Sequence, residues 1–98
     1  MAEANYVAVA PHCPLGPVAL AACLQLDACI PNFLVQEHVT LGEGYLKQPF
    51  RLEGGYVAVP EGPGLGIELD EEYLASRASS GTWLNPRRYG EDGSVADW

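Results

Sequence analysis

Two segments of this 98-residue chain carry side chains that could do chemistry together. One is Ala10-Pro11-His12-Cys13-Pro14-Leu15-Gly16-Pro17, and the other is Gln36-Glu37, whose glutamate lies 25 residues after His12. An imidazole with an ordinary pKa of about 6.5 can take a proton near neutrality, which makes His12 a candidate general base. A structural histidine bonded to backbone is the competing reading. Glu37 closes the apolar run Phe33-Leu34-Val35. Burial there would raise the pKa of its carboxyl and let it donate a hydrogen bond to a substrate oxygen. An exposed glutamate at a strand end is the alternative.

Other candidates are weaker. Cys13 beside His12 suggests a thiol nucleophile, but neighbours on an extended chain point to opposite sides. Cys23 and Cys29 are expected as small apolar core residues. His38 reads as a solvated loop histidine rather than a metal or substrate ligand. Gly62, Gly64 and Gly66 resemble a phosphate loop only superficially, since Pro63 and Leu65 intervene and no Gly-Lys-Ser/Thr follows. A structural turn is expected there. Arg87-Arg88 reads as a solvated pair.

The elements that must position His12 and Glu37 follow from local patterns. Tyr6–Ala10 is a short, almost continuous apolar run, as in a buried parallel strand. Pro11 and Pro14 stop its pairing. Pro17 suits the first position of a helix, and the Ala- and Leu-rich stretch to Ala28 continues it. That helix is apolar nearly all round, which suits a packed assembly more than the surface of a small monomer. Phe33–Glu37 reads as a second strand. Strand, helix and strand form a βαβ unit, whose parallel strands end on the same side, about 4.8 Å apart, so both side chains reach one ligand.

Beyond Glu37, residues 38–51 read as a loop. Gly55–Pro60 is expected as a strand opened by a Gly-Gly turn, residues 61–66 as a tight connection, and Ile67–Leu69 as extended. Asp70 should cap a helix from Glu71 to about Ala78, with Glu71 and Glu72 at its favourable end. The aromatic tail, Trp83 to Trp98, is expected to lie against another surface.

Thirteen acidic and five basic residues give a net charge of −8, so nucleic acid is not an expected partner. Three cysteines without a CxxC spacing argue against a disulfide scaffold or a structural zinc site and fit reduced thiols in the cytoplasm. No signal peptide is evident and no uncharged apolar run reaches about 18 residues, so no membrane partner is expected.

The segments 10–17 and 20–27, with Gln36-Glu37, Gly62–Glu68 and Glu91–Trp98, closely resemble the C-terminal region of the D-galactonate dehydratases, in the mandelate racemase branch of the enolase superfamily. The resemblance implies an α/β fold: the C-terminal portion of a modified (β/α)8 TIM barrel, with Tyr6–Ala10 and Phe33–Gln36 as the last two strands around one helix. Residues 1–54 would belong to the barrel, and 55–98 would form a return segment packing on a capping domain. It also implies roles. His12 would remove the proton α to a sugar-acid carboxylate, and Glu37 would hydrogen-bond the enediolate. Mg²⁺ would stabilise that dianion while water leaves the β carbon, giving a 2-keto-3-deoxy acid. Enolase-superfamily sites are a standard case of a Lys or His base working with Mg²⁺.

In such enzymes the metal-binding carboxylates come from the third, fourth and fifth strands. The leaving-group acid comes from the third and the aspartate orienting the base from the sixth. None of these segments has a counterpart here, so neither metal-ligating nor cofactor-binding residues are assigned. The expectation is a truncated or partial sequence, inactive alone, whose partners are the sugar acid and the missing N-terminal part, in an enzyme that is homo-oligomeric at full length. Two readings compete: a dehydratase or racemase for another sugar acid, and a stand-alone, non-catalytic binding module.

Overall fold

The computed structural model describes residues 1–82 and 88–96. Its main element is helix α1, Pro17–Cys29. Pro17 opens it, and the carbonyl of Gly16 accepts from the amides of Ala19 and Leu20, at 3.1 and 3.2 Å. Its last bond runs from the Ile30 amide to the Leu26 carbonyl, and Pro31 follows. Leu20, Ala21 and Leu24 face inward, while Val18 and Leu26 on the same helix are about half exposed. The all-round apolar character of the sequence thus leaves two apolar sides, of which this chain covers one.

The runs expected to form strands flank α1 but pair only at one point. Val9 and Phe33 form a parallel bridge, with Val9 N–H donating to the Asn32 carbonyl at 2.8 Å and Leu34 N–H to the Val9 carbonyl at 2.9 Å. The parallel arrangement matches the expectation. Continuous strands over Tyr6–Ala10 and Phe33–Glu37 do not form, a correction with a physical cause. A parallel strand of this composition is stable when neighbours pair with both edges and elements cover both faces. Among the described residues each run pairs with a single neighbour, the other run. The chain before Val7 instead coils into a 3₁₀ turn, Glu3–Asn5, closed by Tyr6 in the left-handed region at φ 57°.

Residues 38–51, expected as a loop, fold back on α1. Leu46 is buried, and Leu41 and Phe50 pack on the cluster of Cys13, Leu20 and Leu24. Leu52–Glu53 (β1) and Tyr56–Val57 (β2) form an antiparallel hairpin. Its turn, Gly54-Gly55, has φ of 58° and 87°, the doubly positive geometry that suits a two-residue hairpin. The strand expected from Gly55 to Pro60 is therefore shorter, and Leu52–Glu53 is its unforeseen partner. Gln25 Nε2 donates to the Pro60 carbonyl at 2.8 Å and ties this segment to α1.

Residues 61–66 turn tightly, as expected: Gly66 N–H donates to the Pro63 carbonyl, and a Cβ on Gly66 would fall 2.5 Å from the Pro60 side chain. Leu69 bridges Leu46 antiparallel. Helix α2, Glu71–Arg77, begins where Asp70 accepts from the Tyr73 amide at 2.9 Å, as expected of a cap. Tyr73 packs edge-on against Tyr45, and Arg77 lies over its ring. Arg88–Tyr89 (β3) and Val95–Ala96 (β4) form a second hairpin. The rest of the tail, at 83–87 and 97–98, lies outside the described residues, so its expected packing is not addressed.

Among the described residues the core is small, with Cys13, Leu20, Ala21, Leu24 and Leu46 as its buried hydrophobic residues. Tyr6, Val7, Leu34, Val35 and Val39 all stand more than half exposed. The Cα radius of gyration is 17.6 Å, against about 13 Å for a compact domain of this length.

Candidate functional site

The Val9–Phe33 bridge aligns the two runs so that His12 and Glu37 emerge at the same end. Their side chains meet. His12 Nδ1 lies 2.6 Å from Glu37 Oε2. The same oxygen accepts the backbone N–H of Cys13 at 2.7 Å. Pro14 and the start of α1 follow directly, so this amide is held at a fixed bend of chain. Gln36 adds a second tie, donating to the Pro11 carbonyl at 3.2 Å and to the Glu37 carbonyl at 2.6 Å.

Electrostatics at Glu37 run opposite to the sequence expectation. Its side chain is 45% exposed, and that of His12 is 78% exposed. The Cys13 amide, more than the neighbouring imidazole, holds the Glu37 carboxyl below its ordinary range. Both favour the ionised form, and the small burial present does not outweigh them. The expected raised pKa is thus corrected. The cause is that Glu37 and the run Phe33-Leu34-Val35 before it stand exposed rather than buried.

Cys13 turns away from His12 into the core, 1% exposed, which removes the thiol-nucleophile reading for the reason anticipated. It lies within hydrogen-bonding reach of Cys23, whose thiol is pushed up first by burial and then by this neighbour. Cys23 is part of the packing, but Cys29, expected in the core, is exposed at the helix end. His38 is exposed, in line with its reading as a loop residue. Among the described residues no three of His, Cys, Asp and Glu gather in a set able to hold a metal ion. A magnesium site therefore does not fit these residues, and the chemistry open to them is proton transfer and hydrogen bonding.

Two polar groups lie outside the sequence reading, of which the first touches Glu37. The Cys13 amide is backbone and leaves no residue-type signal. Asp27 is buried in α1 with neither carboxylate oxygen hydrogen-bonded. Its signal was available, as the one charged residue of α1.

A partial β/α unit with a histidine and a glutamate at one end defines a class, and the comparisons place it. Residues 1–73 match the family described as "Enolase C-terminal domain-like", and the chain belongs to it, within the enolase superfamily. The whole chain aligns at 48% identity with D-galactonate dehydratase of Ralstonia nicotianae, of which it covers 28%. A mandelate racemase/muconate lactonizing enzyme from Jannaschia sp. CCS1 superposes at a TM-score of 0.72, with 36% identity over 85% of this chain and 22% of that one. An enolase from Agrobacterium radiobacter, solved with sodium and L-malate, superposes at 0.76, with 29% identity over 96% of this chain and 28% of that one. The fold is that of an enolase/mandelate racemase C-terminal domain, and the chain spans under a third of the length of these relatives.

Proposed function

We propose that this chain contributes one portion of a sugar-acid dehydratase that converts D-galactonate to 2-dehydro-3-deoxy-D-galactonate and water. Residues 1–54 would be its last barrel strands and residues 55–98 its return segment. The observation that supports this most is the meeting of His12 and Glu37 at one end of a parallel bridge, in a chain 48% identical to D-galactonate dehydratase.

In this reading His12 is the base. With Nδ1 held toward Glu37, Nε2 is the nitrogen left to receive the α proton. Glu37 serves the carboxylate side. Alone it is ionised and cannot donate. An anionic substrate at the mouth repels that charge and drives the carboxyl toward protonation, so that it donates to the enediolate oxygen. The contact with His12 Nδ1 then gives way, since it competes with donation by Glu37 to the substrate. Mg²⁺, the metal of this superfamily, would supply countercharge to the dianion from elsewhere in the enzyme. The full enzyme is proposed to be a cytoplasmic homo-oligomer.

The test is a chimera in which this chain replaces the matching segment of the Ralstonia nicotianae enzyme. Formation of 2-keto acid from D-galactonate, lost in His12→Ala, is the expected result. Product from another sugar acid but none from D-galactonate would overturn the substrate assignment.

A further inference from the structure

Asp27 is the buried charged side chain among the described residues, and neither the proposed chemistry nor a described partner uses it. It is 9% exposed, and both Oδ1 and Oδ2 lack a hydrogen-bond partner. Burial alone pushes its carboxyl up. Removing an unpaired carboxylate from water costs several kcal/mol, so such groups are normally paired or neutralised.

Asp27 lines a groove of about 360 Å³ between α1, the extended segment 33–36 and hairpin strand β2. The space is many times that of one water. Leu24, Leu34, Val35 and Val57 make most of its wall apolar. No lysine or arginine among the described residues lines the groove; Lys47 pairs with Glu68, and Arg77 lies over Tyr73. With thirteen acidic residues against five basic ones, this chain is itself a poor source of a spare cation. The relatives carry more than two thirds of their length outside the matched region.

We propose that this groove receives an apolar segment of the remaining enzyme polypeptide bearing an arginine or lysine, whose cationic head pairs with Asp27. The inference rests on the reading of the chain as one portion of a larger enzyme. Apolar walls cover the stem of such a side chain, and the carboxylate lining the groove meets its charge. Partner and groove are complementary in both respects.

The same chimera tests it, through substitutions at Asp27 read by urea denaturation and infrared spectroscopy. Asp27→Asn keeps the shape and removes the charge, and Asp27→Leu removes polarity altogether. At least a tenfold loss in the folding equilibrium constant is expected for each. The difference spectrum between the parent chimera and Asp27→Asn should show an ionised carboxylate at neutral pH. A protonated carboxyl in that spectrum overturns the proposal, as does an Asp27→Leu chimera as stable as its parent. A shift in oligomeric state with unchanged urea midpoint would assign the groove to a second copy and overturn it too. Failure of the parent chimera to fold would instead overturn the composite-enzyme reading, and this inference with it.

Discussion

Glu37 Oε2 receives two partners from adjacent residues, His12 through its ring and Cys13 through its backbone. One carboxylate oxygen thus joins the ends of both runs that flank α1. The backbone contact is the stronger influence on Glu37, and this ordering has consequences that can be measured.

A carboxyl held below its ordinary value of 4.5 stabilises the fold above that pH and loses the contribution as pH falls through the lowered value. Side-chain carbon NMR should therefore give Glu37 a midpoint below 4.5. His12→Ala should return it only part of the way, because the Cys13 amide remains. A full return would show that the imidazole, not the amide, sets the ionisation.

The proposed roles separate in the chimera. His12→Ala should abolish exchange of the substrate α proton with deuterated water. Glu37→Gln keeps a donor but loses the carboxyl, and should lower turnover by about 10²-fold or more, on the scale of a lost oxyanion donor. Retained α-proton exchange in His12→Ala would remove His12 from the role of base.

The small core makes a strong prediction about stability. Leu20 is 2% exposed among few buried neighbours. Leu20→Ala should cost about 2–5 kcal/mol, enough to remove cooperative melting of the isolated chain. Leu34→Ala, at a side chain 67% exposed, should change the melt by no more than about 0.5 kcal/mol in the chain alone. In the chimera the second substitution should become costly. Equal, small effects of Leu34→Ala in both settings would show that this face stays uncovered.

Gly44 has φ of 80°, and a Cβ there would fall 2.7 Å from the Tyr73 ring. Gly44→Ala should cost at least about 1 kcal/mol through strain and displacement of that ring. Gly54 also has positive φ, but nothing lies within 4 Å of its Cβ position. Gly54→Ala should be milder, and chemical denaturation of the two variants side by side checks the ranking.

Local chemistry was legible in the sequence. Pro17 as a helix opener, Asp70 as a cap and the turn of Cys13 away from His12 all follow from rules that need only near neighbours. The convergence of His12 and Glu37 was legible too, since two apolar runs flanking one helix have few ways to pack. What the sequence obscured was set by distant surfaces. Full strands and a buried Glu37 require neighbours on the outer edges of Tyr6–Ala10 and Phe33–Glu37. The apolar composition that signals burial does not say whether this chain supplies the cover. The β1–β2 pairing was missed for another reason: Leu52–Glu53 is too short to show an alternation.

The exposed row of Tyr6, Val7, Leu34, Val35 and Val39 bears on the life of the chain in a cell. Apolar side chains next to unpaired strand edges are what aggregation and quality-control machinery recognise. Abundance of this polypeptide would then be governed by how soon a covering surface arrives after synthesis. In the proposed reading, its steady-state level becomes a report on the supply of the remaining enzyme polypeptide.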